Sequence, residues 1–179
     1  GSVFRSYARK DPNNSLGVEL ITLSRSSDGY LCNSTGVLKN NIETYLKQFK
    51  SFSDSVRISD GRVANIGIDF TILPEPDANL NDALLDCFIL LKGMFIIENT
   101  NFNATIVSSE YSSRLQALNK VRSVVDFKFT NRYIPEGNRT YSQYQFDIQA
   151  NTQAGVLSFP EDVCWELKYP NFDIVGRGI

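Results

Sequence analysis

One continuous stretch, residues 63–95, constrains the fold of this sequence most, because a strand pattern leads directly into a long apolar helix pattern. Within 64–73, apolar and polar residues alternate, which is the period-two pattern of a strand with one buried face. Pro74 and Pro76 end that strand, since proline donates no backbone hydrogen bond to a sheet. The strand and the helix that follows are therefore predicted to form most of the core.

The helix pattern begins where Asp77 or Asn79 offers a side-chain oxygen to the free amide groups of a helix start. Ala83, Leu85, Ile89 and Leu90 lie between the regularly spaced apolar residues, so this helix is apolar on more than one face. We expect it to be sandwiched between the sheet and another helix, or between two subunits. Leu85 and Ile89 are therefore candidate interface residues. The regularly spaced face is predicted to comprise Leu80, Leu84, Cys87, Phe88, Leu91 and Phe95.

Length and composition fit a folded domain. The chain has 179 residues, of which 42% are hydrophobic and 21% charged, which is ordinary for a globular protein with a core. A formal net charge of −2 argues against general nucleic-acid binding, which normally requires a basic patch. Asp86 and Lys92 interrupt the longest apolar run, so no stretch reaches the length of a membrane-spanning helix. We therefore expect neither a nucleic-acid partner nor a membrane partner.

The segments before the central stretch predict two strands and a surface helix. Residues 18–23 form a first strand, and a helix lying on a sheet follows from about Ser34. Residues 56–58 read as a short strand before Asp60 and Gly61, a dipeptide typical of hairpin turns, with a loop longer than the dipeptide. The apolar side of the surface helix is predicted to consist of Leu38, Ile42, Tyr45, Leu46 and Phe49.

After the central helix, residues 105–107 predict a very short strand. Ser108 or Ser109 is expected to cap a third helix whose buried side includes Leu115. Another strand follows, in which Val125 lies on the same face as Phe127 and Phe129. These elements complete the helix-bearing part of the chain.

The last part of the chain predicts a meander of about three strands, at 143–148, 156–159 and 163–169. Because it has no helix of its own, its apolar face needs cover from the main sheet or from a second copy of the protein. Trp165 and Tyr169 alternate with polar residues in the last strand and are therefore candidate interface residues.

Together the patterns predict an α+β fold, with an antiparallel or mixed sheet covered by two to three helices and a C-terminal β meander. The predicted division is a linker or arm at 1–15, an α+β core domain at 16–131, and a β-rich C-terminal extension at 132–179.

The residue types offer little basis for catalysis. The chain contains no histidine, which removes Ser-His and Cys-His pairs and the commonest transition-metal ligand. Cys32, Cys87 and Cys164 are far apart in sequence and indicate buried free thiols, with no zinc-type spacing. We expect no metal and no cofactor. Asp69 and Asp126 are the remaining acids for a glycosidase, although solvent-facing strand positions explain them more simply.

Seven segments carry a resemblance to a known family. They are LKNNIETYL at 38–46, DSVRISDG at 54–61, VANIGIDF at 63–70, residues 81–95 ending in LKGMF, VRSVVDF at 121–127, ELKYP at 166–170 and DIVGR at 173–177. These segments resemble the baseplate J-like family, and within it the C-terminal region of the baseplate wedge proteins of T-even-like contractile-tailed phages.

The resemblance implies a structural protein without catalysis. Such wedge proteins self-associate, join neighbouring wedges into a ring around the tail hub, and bind other wedge proteins. The implied partners are a second copy, in a homodimer, and other baseplate wedge proteins. The implied location is the virion tail baseplate, assembled in the cytoplasm of the host bacterium.

An alternative function is a carbohydrate- or receptor-binding tail module. Four aromatic residues of the C-terminal part offer rings that stack on sugars: Tyr144, Phe146, Trp165 and Tyr169. Their alternation favours packing in a core or an interface instead. A buried Trp165 would count against the sugar-binding alternative.

Overall fold

The computed structural model of the chain describes residues 2–49 and 55–179. Within these residues the fold is α+β, as the sequence predicts. The strands are β1 (Val3–Lys10), β2 (Gly17–Arg25), β3 (Leu31–Cys32), β4 (Ser55–Asp60), β5 (Arg62–Pro74), β6 (Thr105–Val107), β7 (Val121–Asn131), β8 (Thr152–Gln153), β9 (Val156–Ser158), β10 (Val163–Glu166) and β11 (Ile174–Gly178). The α-helices are α1 (Gly36–Lys47), α2 (Leu80–Met94), α3 (Ser108–Gln116) and α4 (Pro170–Asp173), and a 3-10 helix covers Ile97–Asn99.

The first sheet is built around β2. Strand β1 pairs with it antiparallel, β4 pairs with it parallel, and β3 pairs antiparallel with its last two residues. The segment predicted as a linker or arm thus contains a paired strand, β1. The sequence does not indicate this strand by an alternation of apolar and polar residues, because the side chains that face the body of the protein include the charged Arg5 and Arg9.

The second sheet is built around the long strand β5 and is mixed. Strand β7 pairs with β5 antiparallel, whereas β10 and β11 both pair with β5 parallel. All four residues of β10 are buried, as expected for a parallel strand that is covered on both faces. The C-terminal strands β10 and β11 are therefore part of the main sheet of their own chain. The third sheet is small and has the order β6-β9-β8.

Helices α2 and α3 pack on the β5 sheet, with α2 near β5 and β11 and α3 against β7. They enclose the main core, which includes Ile66, Ile68 and Phe70 of β5. Phe95, just after α2, lies with its ring centroid 5.5 Å from that of Trp165. In the described parts of the chain, the stretch 63–95 supplies nine of the 20 buried residues of this core, so the prediction that it forms most of the core is wrong, because the chain after residue 131 contributes seven more.

A second, smaller core joins the first sheet to the rest of the molecule. It consists of buried Ile21, Leu23, Leu31, Val63, Phe102 and Cys164. Gly61 lies at this junction, because the chain passes there from β4 in the first sheet into β5 in the second. The predicted hairpin at Asp60 and Gly61, with its longer loop, is wrong: β4 pairs with β2, and Gly61 alone separates β4 from β5.

Strand β7 contains an irregularity that reverses one predicted face. Thr71 pairs with Asp126 and Ile72 pairs with Val124, so Val125 is an extra residue on β7. Val124 packs against the core, and Val125 is exposed. The expectation that Val125 lies on the buried face is therefore wrong, because a bulge shifts the alternation of the residues before it.

Three further local predictions are corrected. Residues 143–148 do not form a strand, although Phe146 among them is buried and stacks on Phe159. Helix α1 forms as predicted, capped by Thr35, but it buries none of its residues. Helix α3 begins directly after β6, and the residue before it, Val107, makes no side-chain cap. In each case tertiary packing, which a local pattern does not contain, decides the outcome.

Candidate interaction surface

Helix α2 carries the candidate surface. The side chain of Asn79 accepts a hydrogen bond from the backbone N–H of Asn81, at 2.8 Å, and so caps the helix start. Asp82 in the first turn and Lys92 in the last turn complement the helix dipole. The inner side of the helix is fully buried at Ala83, Cys87 and Leu91. The three residues are four apart, which places them on one face.

Leu85 and Ile89 lie on the opposite side of α2. Each is two residues from a buried position, which is about 200° around a helix of 3.6 residues per turn. Leu85 is 55% exposed and Ile89 is 60% exposed. Ile96, just after the helix, is also exposed. We call Leu85 and Ile89 the α2 outer face. Of the additional apolar residues that the sequence identified, Ala83 is buried on the inner side of α2, whereas Leu85 and Ile89 are left uncovered.

The other two candidate interface residues lie elsewhere. Trp165 is only 4% exposed and packs in the main core, so its burial removes it from the candidate interface. Tyr169 is half-buried, and its ring centroid lies 5.4 Å from those of Tyr30 and Tyr141. Its hydroxyl oxygen lies 3.3 Å from both the backbone nitrogen and the carbonyl oxygen of Thr140. The structure therefore does not bring these two residues together with α2 into one exposed face.

Glu166 is a polar residue that the alternation of β10 did not identify as buried. Glu166 is only 3% exposed. Its carboxylate accepts hydrogen bonds from the Leu31 N–H at 2.7 Å and from Asn65 Nδ2 at 2.9 Å. Asn65 Oδ1 in turn accepts from the Ser142 N–H at 2.6 Å. Burial raises the pKa of the Glu166 carboxyl. Glu166 thus ties β3 of the first sheet to β5 of the second.

Asp173 is a second buried carboxylate. It accepts hydrogen bonds from the Tyr141 hydroxyl at 2.7 Å and from the Tyr169 N–H at 2.9 Å. Arg132 Nε lies 3.6 Å from one of its oxygens. Burial raises the pKa of Asp173, and it also raises the pKa of Tyr141. These contacts hold the loop after β7 against α4, so the role of Asp173 is structural.

The candidate catalytic acids are each placed beside a cation. Asp69 lies 3.9 Å from Arg132, and Asp126 lies 3.6 Å from Lys128. Among residues 2–49 and 55–179, no three His, Cys, Asp or Glu side chains are grouped so that they could hold a metal ion. In the same part of the chain, no helix has the length and apolar character needed to cross a membrane.

The three cysteines are free thiols. Burial raises the pKa of Cys87 to about 11 and that of Cys164 to about 12. Burial also raises the pKa of half-buried Cys32. Because the thiolate is the nucleophilic form, these thiols are poorly suited to nucleophilic chemistry near neutral pH.

Comparison with known proteins finds a distant likeness to a solved structure. No protein-family model matches the chain, and no curated protein sequence matches it. The chain is similar to part of a protein in the baseplate of the anti-feeding prophage, solved by cryo-electron microscopy, with a TM-score of 0.46 and 11% identity. The likeness covers 64% of this chain and 25% of the other, so this chain spans about a quarter of that protein. At this TM-score the likeness does not establish a shared fold.

Proposed function

We propose that this chain is a structural component of a contractile phage tail baseplate, similar to the C-terminal part of a wedge protein. In this role it associates with a second copy of itself and with other baseplate wedge proteins, and joins wedges into a ring. It binds other polypeptides and transforms no substrate. Its location is the virion tail baseplate, after assembly in the cytoplasm of the host bacterium. The segment resemblance at 38–46, 63–70 and 81–95 supports this proposal.

The α2 outer face is the observation that carries the proposal. Most helices of a folded domain direct polar residues to solvent, whereas α2 directs Leu85 and Ile89 there. Because each side chain is little more than half exposed, burying the rest of it on association contributes roughly 1–1.5 kcal/mol. In a two-fold dimer the same face is used by both copies, so each substitution acts twice. A stable interface buries about 1,600 Å² in total, so surrounding residues also contribute.

The sugar-binding alternative loses its main support. It requires exposed aromatic rings, but Trp165 and Phe146 are both buried in the main core. Tyr144 is half-buried, and the guanidinium of Arg62 lies over its ring at 4.4 Å. An assembly role is therefore favoured over a role in binding carbohydrate.

Substitution of Ile89 by Glu tests the proposal. A charge on the α2 outer face would have to be desolvated at the interface, so we expect Ile89→Glu to weaken self-association by about tenfold or more. Because Ile89 is exposed in the single chain, the melting temperature should change little. Sedimentation velocity over a range of concentrations measures the association.

Ile134→Glu is the matched control, because Ile134 is the same residue type and is 65% exposed on a loop. It should self-associate like the wild type. A wild-type chain that stays monomeric at high concentration, or an Ile89→Glu variant that associates like wild type, would contradict the role of this face.

A further inference from the structure

Strand β7 has one edge to which no other strand pairs in the described parts of the chain, since its ladder is with β5. Just beyond β7, the Arg132 N–H donates to the Asn65 carbonyl on β5 at 2.9 Å. Backbone groups of successive strand residues point to alternate edges, so those of Phe127, Phe129 and Asn131 point away from β5. The bulge at Val125 ends this regular arrangement. We call residues 127–131 the β7 edge.

A groove runs along the β7 edge. It is a cavity of about 600 Å³ between residues 128–131 on one side and 145–149 on the other. The far wall is held in place by Phe146, whose buried ring stacks on Phe159 at a centroid distance of 4.9 Å. The Phe146 carbonyl also accepts a hydrogen bond from Asn131 Nδ2 at 2.6 Å. Both walls are therefore anchored, and the groove is part of the fold.

The groove offers amide groups to a ligand. Asn131 Oδ1 is buried and has no hydrogen-bond partner, which is costly unless a donor arrives. Gln145 and Gln149 on the far wall are exposed and carry side-chain amides. The charged residues of the lining, Lys128 and Asp147, are of opposite sign. This chemistry matches the N–H and C=O groups of an uncharged peptide backbone.

We propose that the β7 edge binds an extended, uncharged polypeptide segment of another protein, which adds to the sheet as a strand. The main-chain groups of Phe127, Phe129 and Asn131 would supply hydrogen bonds, and Asn131 Oδ1 would accept one more. The apolar lining at Tyr133 and Ile148 would contact side chains of the segment. The site lies on other elements than the α2 outer face, so it goes beyond self-association through α2.

A display library of random peptides of about ten residues, the length of a long strand, provides the probe. A selected peptide is synthesised with a fluorophore, and its anisotropy is measured with wild type, Asn131→Ala and Asn131→Pro. Asn131→Ala removes the side chain, including its hydrogen bond to the Phe146 carbonyl, and leaves the main chain of the edge unchanged. Asn131→Pro also removes the outward N–H and places a ring in the path of the added strand. We expect binding to weaken a few-fold with Asn131→Ala and by about another tenfold with Asn131→Pro.

Hydrogen exchange supplies a second measurement on the wild-type chain. The bound peptide should slow exchange at the amides of Phe127, Phe129 and Asn131, and Ile89→Glu should bind the peptide like wild type. A library without binders, protection confined to other amides, or equal binding by Asn131→Ala and a folded Asn131→Pro would overturn the proposal. Protection of this edge on concentrating the chain without peptide would assign it to a second copy and would also overturn it.

Discussion

At the scale of single residues, Glu166 has the most demanding environment. A buried carboxylate is stable only when its oxygens accept hydrogen bonds, and both oxygens of Glu166 do so. Its donors, Leu31 and Asn65, lie 135 and 101 residues away in the sequence. No local pattern could therefore have indicated that this polar strand residue points inward.

The first prediction concerns the hydrogen bonds of Glu166. A Glu166→Gln side chain keeps one acceptor oxygen and turns an NH₂ group toward one of the two donors. We expect the free energy of unfolding to fall by about 1–3 kcal/mol, since one buried donor loses its acceptor. Urea unfolding measures the change. Glu136→Gln is the control, because the Glu136 side chain is 71% exposed and should tolerate the change.

The second prediction concerns pH. The ordinary pKa of the Glu166 carboxyl is 4.5, and burial raises this pKa in the folded state. Between the two pKa values the folded chain binds more protons than the unfolded chain, so the stability contributed by Glu166 is lost as pH rises through this range. The stability of wild type relative to Glu166→Gln should therefore increase as pH falls toward 4.5. A relative stability that decreases on acidification would contradict the raised pKa.

At the scale of elements, Gly61 determines how two sheets are joined. A Cβ atom at this position would lie 2.5 Å from ring atoms of buried Phe102 and 3.1 Å from Leu23 Cγ. The chain thus passes from β4 to β5 through a site where only glycine fits without displacement of the second core. The dipeptide Asp60-Gly61 resembles a hairpin signal, yet here glycine serves close packing.

Substitution of Gly61 by Ala is the third prediction. Overpacking of the second core should lower the free energy of unfolding by about 1–3 kcal/mol. Gly93 in α2 is the matched control, because a Cβ there would meet no atom within 4 Å. Gly93→Ala should be neutral or stabilising by up to about 1 kcal/mol, since alanine favours a helix over glycine. Equal thermal stability of the two variants would refute the packing argument.

At the scale of the whole molecule, the C-terminal part is interleaved with the rest. The strands β10 and β11 both pair with β5, and the residues after 131 supply a large part of the main core: Phe146, Leu157, Phe159, Val163, Trp165, Leu167 and Ile174. Many tertiary contacts thus cross the predicted boundary at 131. That position marks a change in the sequence pattern and not a gap between two cores.

Truncation of the chain after Asn131 is the fourth prediction. A chain ending at Asn131 would leave β5 paired only with β7 and would expose the apolar residues that the missing part covers. We expect no cooperative thermal transition by circular dichroism. Co-expression of 132–179 as a separate chain should restore it, because the lost contacts are non-covalent. A cooperative transition in the truncated chain alone would show that the core domain is independent.

Local periodicity in the sequence was sufficient to predict the strand β5, the helix α2 with a cap at Asp77 or Asn79, and apolar residues on more than one face of α2. These features depend on residues only a few positions apart, so a pattern contains them. Only the tertiary structure decided that Trp165 and Glu166 are buried, that β4 pairs with β2 and not with β5, and that the C-terminal strands β10 and β11 join β5 of their own chain. These features depend on pairing between distant segments, which local spacing does not encode.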